Sequence, residues 1–96
     1  MHFRGKPIVI EAQQWDGTKE SIEAISEWSG GRAYYMSAYR RAPDGRMVID
    51  ACLRVPSGGH YEMQPRDWII KGETGVFYPC DPDVFELTYE PVEGAA

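Results

Sequence analysis

The sequence predicts an α+β fold, in which a mostly antiparallel sheet of five or six strands is covered on one face by one amphipathic helix. Two observations lead to this fold class. Residues 18–29 repeat their apolar side chains with a helical period, and the rest of the chain consists of short apolar segments separated by turn residues. Closely spaced strands of this kind pair antiparallel, and the helix has only the sheet on which to bury its apolar stripe. Because 96 residues suffice for one core, we expect a single domain over residues 1–96.

The first strand is expected over residues 7–15, which begin with β-branched residues and continue with polar alternates. Residues 16–17, Asp-Gly, end this strand, and Thr18 is a suitable N-cap for the helix that follows. The helix is expected over residues 18–29 and stops at the two glycines 30–31, since glycine readily adopts the left-handed conformation at a helix end. The apolar stripe of this helix consists of Ile22, Ile25 and Trp28.

Two hairpins and a short strand follow in the sequence. Each hairpin is indicated by two segments rich in β-branched or aromatic residues, with a glycine-containing turn between them. The first hairpin connects residues 32–41 with 46–53, the second connects residues 68–71 with 76–78, and a short strand at 60–63 lies between them.

The C-terminal part of the chain is interrupted by two prolines, which bend it within residues 79–82. Beyond this bend we expect one helical turn at residues 83–86, capped by Asp83, and then a last strand at residues 87–90. Residues 91–96 are expected to form a flexible tail.

The composition limits the classes of partner. A net charge of −5 disfavours binding to nucleic acid or to an anionic membrane. The longest apolar run is far shorter than a membrane-spanning helix, and the N-terminal apolar stretch is too short for a signal peptide. Cys52 and Cys80 are the two cysteines, so a disulfide framework is not indicated. The expected location is therefore the cytoplasm.

The sequence predicts no catalytic residue, no metal site and no cofactor. His60, Cys80 and either Asp81 or Asp83 could serve as base, nucleophile and orienting group, but nothing in the sequence brings them together. An inert, buried thiol is the commoner role for a cysteine among aromatic residues and prolines. The two cysteines also lack the close spacing of zinc ligands, and the glycine pairs lack a phosphate-loop pattern.

One segment has the composition of a binding surface. Residues 32–54 hold five arginines and two aspartates, whereas residues 67–96 hold seven acidic residues and one lysine. Tyrosine can insert into a pocket of a partner, and arginine can form paired hydrogen bonds with carboxylate or phosphate. The alternative is a hairpin whose tyrosines half-face the core and whose arginines are solvated. The candidate partner-binding residues are Arg32, Tyr34, Tyr35, Tyr39, Arg40, Arg41 and Arg46.

Both ends of the chain resemble a family of small tailed-phage and prophage proteins. The resemblance is carried by residues 64–72 (QPRDWIIKG), by residues 76–91 (VFYPCDPDVFELTYEP), and by residues 6–12 (KPIVIEA) with the pair 14–15 (QW). Where the family motif has glycine, this chain has Arg66, which would be strained in a turn that requires a positive φ. The resemblance implies a non-enzymatic accessory protein, made in the cytoplasm of the bacterial host, that binds and modulates a host protein or a defence factor.

Three functions stay open at this point. The first is the host-directed binding protein, with residues 32–54 as the contact surface. The second is a small-molecule or nucleotide-binding module, which requires a concave pocket. The third is a minor component of the virion or of its assembly. A homodimer is compatible with each of them.

Overall fold

The chain folds into two three-stranded antiparallel sheets and two helices over residues 10–72 and 74–90, the part that the computed structural model describes. The elements are, in chain order, β1 (Glu11–Gln14), α1 (Lys19–Trp28), β2 (Ala33–Arg41), β3 (Met47–Arg54), β4 (His60–Glu62), β5 (Trp68–Lys71), β6 (Phe77–Cys80) and α2 (Pro82–Thr88). The predicted α+β class and the antiparallel pairing are confirmed. No helix in the described part of the chain is long and apolar enough to cross a membrane.

The strands divide between two sheets instead of forming the single sheet that the sequence predicted. One sheet has the strand order β1-β5-β6 and the other has the order β2-β3-β4, so each is built on one of the two predicted hairpins. The division occurs at residues 64–67, where a tight turn follows β4 and directs the chain into β5 of the other sheet. A pattern of strands and turns does not specify which hairpins share a sheet, because both arrangements use the same local signals.

The helix α1 matches its prediction closely. The Thr18 hydroxyl accepts a 3.1 Å hydrogen bond from Ser21 N, and Asp16 Oδ1 in turn accepts a 2.9 Å hydrogen bond from Thr18 N. These contacts satisfy backbone groups at the start of the helix. The helix ends at Ser29, and Gly30 then adopts a φ of 66°, which is unfavourable for a residue with a Cβ.

A single hydrophobic core is shared by both sheets and α1. Its centre contains Trp15 and the two helix residues Ile22 and Ile25, each at most 1% exposed. The helix packs along β2 of the β2-β3-β4 sheet. Trp28, the third residue of the predicted stripe, is half-buried and packs edge-on against Phe77 of the β1-β5-β6 sheet, with ring centroids 5.1 Å apart. The helix therefore connects the two sheets as well as covering one of them.

The C-terminal prediction was wrong in two respects, the last strand and the choice of Asp83 as the helix cap. A helix, α2, occupies Pro82–Thr88, so residues 87–88 are helical and the predicted last strand is not formed. The cap is Asp81, whose Oδ1 accepts a 2.9 Å hydrogen bond from Asp83 N. The physical reason lies in tertiary packing: Phe85 stacks on Trp68 of β5 at a centroid distance of 4.0 Å, and the helical spacing also brings Tyr89 within 5.0 Å of Phe85. The predicted tail at 91–96 and the start of the predicted first strand, residues 7–9, lie outside the described residues.

Candidate partner-binding surface on the first hairpin

The hairpin formed by β2 and β3 carries all the residues that the sequence proposed for partner binding except Arg32, which immediately precedes it. Strand β2 is at the edge of its sheet, and β3 is in the centre. The turn between them is closed by a 2.7 Å hydrogen bond from Ala42 N to Arg46 O. Gly45 supplies the positive φ of 90° that this turn needs.

Strand register separates the three tyrosines onto two faces. Residues directly opposite each other in an antiparallel pair project from the same face of the sheet. Tyr34 lies opposite Cys52, whereas Tyr35 lies opposite the buried Ala51. Tyr34 is therefore on the outer face, and Tyr35 is on the face that meets the core. Tyr39 lies opposite the buried Ile49 and so belongs to the core face as well, but its side chain is 63% exposed.

Tyr34 and Tyr35 are occupied by contacts within the chain. The Tyr34 hydroxyl lies 2.6 Å from His60 Nδ1, and the two rings meet edge to face. Tyr35 packs against the core, and its hydroxyl donates a 3.4 Å hydrogen bond to Glu23 of α1. These two tyrosines fit the alternative of half-buried hairpin side chains better than the role of a partner contact.

Arg40 is also held inside the fold, with only 18% of its side chain exposed. Its guanidinium donates hydrogen bonds to the Met63 carbonyl and, at 3.2 Å, to Gln64 Oε1. Its Nε lies 3.4 Å from a carboxylate oxygen of Asp50 and 3.5 Å from one of Glu62. Arg40 thus ties β2 to the chain that leaves β4, and its charge is balanced within the protein.

The remaining arginines are exposed and differ in their partners. Arg46 forms an ion pair with Asp44, 3.0 Å away in the same turn. Arg41 donates a 2.9 Å hydrogen bond to the Gly45 carbonyl and has no carboxylate partner among the described residues. Arg32 lies at the other end of the hairpin, where its guanidinium is 5.5 Å from the Phe77 ring centroid. Arg41 is therefore the arginine at the turn end of the hairpin with an uncompensated charge.

Two methionines that the sequence reasoning did not select complete the surface. Met36 and Met47 are 50% and 58% exposed, and Tyr39 is 63% exposed. Met47 lies opposite Arg41 and is a diagonal neighbour of Tyr39 on the same face of the hairpin. Met36 lies in the irregular part of β2, where the register shifts between Tyr35 and Tyr39. We call the group of Met36, Tyr39, Arg41 and Met47 the hairpin patch.

The hairpin patch could have been found from the sequence if the strand register had been known. The turn around Asp44-Gly45 places Met47 near Tyr39, but a core-facing position would ordinarily be buried. Both are nevertheless more than half exposed, although Ile49, directly opposite Tyr39, is buried. Sequence patterns do not show which core-facing positions near a turn stay exposed.

The structure does not bring the considered catalytic residues together. His60 is paired with Tyr34 on the sheet of β4, whereas Cys80 lies in β6 of the other sheet. Burial raises the pKa of Cys80, and the nearby carboxylates of Asp81 and Asp67 raise it further. Burial and the charge of Asp50 likewise raise the pKa of Cys52. Both thiols are therefore protonated at neutral pH, in which form they are poor nucleophiles.

In residues 10–72 and 74–90 there is no group of three or more histidine, cysteine, aspartate or glutamate side chains that could hold a metal ion. Comparison of the chain with protein-family models, curated proteins and solved structures finds no match.

Proposed function

We propose that the protein is a non-enzymatic binding module that attaches to a protein of the bacterial host, or to a defence factor, through the hairpin patch. The observation that carries the proposal is the exposure of Met36, Tyr39 and Met47, each at least 50% exposed on one hairpin, with Tyr39 and Met47 as diagonal neighbours near its turn. Exposed apolar side chains are ordinary when scattered singly, but a group of them is typical of a contact surface. Tyrosine, methionine and arginine are also enriched in protein–protein interfaces.

The charge of the patch indicates the chemistry of the partner. Arg41 lies within the patch without a described carboxylate partner, in a protein whose net charge is −5. A partner that buries Tyr39 and Met47 would also remove Arg41 from water, and an acidic group is needed to offset that cost. The matching surface is thus an apolar recess bordered by a carboxylate.

The biological setting comes from the resemblance of residues 64–72 and 76–91 to small tailed-phage and prophage proteins. An accessory phage protein of this size acts in the host cytoplasm, where host proteins are present at high concentration. The hairpin residues lie in the part of the chain to which the resemblance does not extend. A surface that varies on a constant framework is what a binding function requires.

Affinity capture from nuclease-treated bacterial lysate, followed by mass spectrometry, tests the proposal. The tagged wild-type protein is compared with a variant carrying Tyr39→Thr and Met47→Thr, since threonine keeps a high strand propensity. The matched control is Leu87→Thr, which removes an apolar side chain that is 90% exposed but lies on α2. We expect the wild type and the control to retain the same protein in stoichiometric amount, and the hairpin variant to lose it.

Two results would overturn the proposal. Equal retention by the hairpin variant would show that the patch is not the contact surface. Failure of the wild type to retain any stoichiometric protein would favour one of the other functions. Of these, a role in the virion is decided by peptide mass analysis of purified particles.

A further inference from the structure

A second concave feature lies at the opposite end of the same hairpin. Arg32 and Arg54 are neighbours there, since Arg54 N donates a 2.8 Å hydrogen bond to the Arg32 carbonyl. Strand β2 runs from Ala33 to Arg41, so about 25 Å separate this end from the turn end of the hairpin. The two arginines border a cavity of about 130 Å³, and its lining residues are Arg32, Arg54, Val55, Pro56, Val76 and Phe77. We call this cavity the two-arginine cleft.

Each guanidinium of the cleft is oriented by an aromatic ring. Arg32 lies 5.5 Å from the centroid of Phe77, and Arg54 lies 6.0 Å from the centroid of Tyr34. Arg32 also donates a 3.1 Å hydrogen bond to the Ser29 carbonyl, which occupies part of its donor capacity. A guanidinium has five N–H donors, so both side chains keep donors for a ligand. Stacking reduces their conformational freedom and hence the entropy that binding would cost.

The charge of the cleft is not compensated by the described part of the chain. Carboxylates there pair with Arg40, Arg46 and Lys71, but none pairs with Arg32 or Arg54. Both arginines line the same cavity, so an anion bound there would be attracted by two positive charges. Arginine is also the side chain best suited to form two parallel hydrogen bonds with a carboxylate or a phosphate.

The other walls of the cleft restrict the remainder of the ligand. Val55, Pro56, Val76 and Phe77 supply aliphatic and aromatic surface, and Val76 is 38% exposed at the edge. An apolar cavity of about 150 Å³ is known to hold one benzene molecule. The two-arginine cleft, at about 130 Å³, is therefore suited to a group no larger than a single ring. It is too small to enclose a whole nucleotide.

We propose that the two-arginine cleft binds a small organic anion, in which a carboxylate or phosphate is attached to one compact apolar group. The anionic head lies between Arg32 and Arg54, and the apolar group rests on Val76 and Phe77. This inference does not depend on the hairpin patch, because the two sites share no residue. The same chemistry occurs in a free small acid and in the carboxyl terminus of a peptide that ends in an apolar residue.

Titration with benzoate and phenyl phosphate tests the proposal. The readout is the change in NMR chemical shift of the backbone amides and the arginine side chains. Benzamide serves as the neutral probe of the same shape. We expect saturable shifts at Arg32, Arg54 and Phe77 with the two anions, and none with benzamide at the same concentration. Arg54→Gln should raise the Kd at least about tenfold, since a hydrogen bond to a charged group is lost. Arg66→Gln, at an exposed arginine outside both the cleft and the hairpin patch, should leave the Kd unchanged.

The source of the ligand is distinguished by a second pair of probes. A tripeptide ending in phenylalanine is compared in its free-carboxylate and amidated forms. Tighter binding of the free-carboxylate peptide than of benzoate would identify a peptide terminus as the ligand, and weaker binding would identify a free small acid. Equal shifts with benzoate and benzamide, no shifts with either anion, or equal effects of Arg66→Gln and Arg54→Gln would each overturn the proposal.

Discussion

Tyr61 donates a 2.8 Å hydrogen bond through its hydroxyl to Oδ2 of Asp67, and this bond joins β4 of one sheet to the start of the other. The same carboxylate oxygen accepts a 2.9 Å hydrogen bond from Gln64 N. Burial raises the pKa of Asp67, and burial together with the hydrogen bond to Asp67 raises the pKa of Tyr61 to about 12. The passage between the two sheets is therefore stabilised by a carboxylate that is only 3% exposed.

Two substitutions of Asp67 distinguish its role as a hydrogen-bond acceptor from the effect of its negative charge. Asp67→Ala leaves the Tyr61 hydroxyl and the Gln64 amide without their acceptor, so we expect the free energy of unfolding to fall by about 1–3 kcal/mol. Asp67→Asn keeps a carbonyl oxygen at this position and should cost less. Urea denaturation at pH 7 measures both changes. Equal losses for the two variants would show that the charge, not the acceptor, is what the turn requires.

The pH dependence of stability gives a second test of Asp67. Its pKa in the folded state is raised above the ordinary value of 3.8, so the folded protein binds this proton more tightly than the unfolded chain. The part of the stability that is linked to protonation of Asp67 is thus complete below that ordinary pKa and is lost as the pH rises through the folded pKa, whereas the acceptor oxygens remain. We expect the unfolding free energy of the wild type, minus that of Asp67→Asn, to fall with increasing pH in this window. A difference that rises with pH would contradict the assignment.

Arg66 occupies a backbone position that suits glycine. Its φ is 79°, and Asp67 N donates a 3.0 Å hydrogen bond to the Gln64 carbonyl across it, as in a type II turn with Pro65 in the preceding position. A side chain in this conformation costs about 1–2 kcal/mol. Arg66→Gly should therefore raise the unfolding free energy by up to about 1 kcal/mol, because greater freedom of the unfolded chain offsets part of the gain.

Arg66→Ala is the control for that change. It removes the side chain but retains the Cβ and its strain, so we expect no gain in stability. A similar gain from both variants would place the effect in the arginine side chain. Glycine is the residue that the observed φ of 79° favours.

Arg40 and Arg41 are adjacent in sequence and are expected to respond differently to alanine. Arg40→Ala removes the donors to the Met63 carbonyl and Gln64 and should lower the unfolding free energy by about 1–3 kcal/mol. Arg41→Ala removes an exposed side chain and should stay within about 0.5 kcal/mol of the wild type. Thermal denaturation of the two variants checks both values. If Arg40→Ala is neutral, the hydrogen bonds and ion pairs of Arg40 contribute nothing to stability, and Arg40 becomes a candidate for contact with a partner.

The stack between Phe85 and Trp68 is the contact that we expect to hold α2 on its sheet. The rings are 4.0 Å apart and 6° from parallel, and α2 has no fully buried residue. Phe85→Ala should lower the unfolding free energy by about 1–3 kcal/mol and shift tryptophan fluorescence to longer wavelength as Trp68 becomes hydrated. Leu87→Ala, at a side chain that is 90% exposed, should change neither quantity. An unchanged emission maximum in Phe85→Ala would contradict the stacking role.

Local signals in the sequence were sufficient for the elements that depend on neighbouring residues. The cap at Thr18, the stripe that contains Ile22 and Ile25, and the glycine after the helix together define α1, which the structure confirms. The hairpin around Asp44-Gly45 is confirmed for the same reason, since its turn contains the residues that the backbone requires. Strand propensity at residues 87–90 misled the prediction, because the stack on Trp68 favours a helix there.

The sequence by itself determined the fold class, the position of α1 and both hairpins. It also identified Arg66 as the residue that a turn with positive φ at 64–67 would strain. All of these depend on backbone conformations that a few adjacent side chains favour or exclude. Only the tertiary structure decided that the strands form two sheets, that Arg40 is held inside, and that Arg32 and Arg54 meet at a cleft with Val76. These features join residues far apart in the chain, and their energies come from packing and charge pairing that no local pattern records.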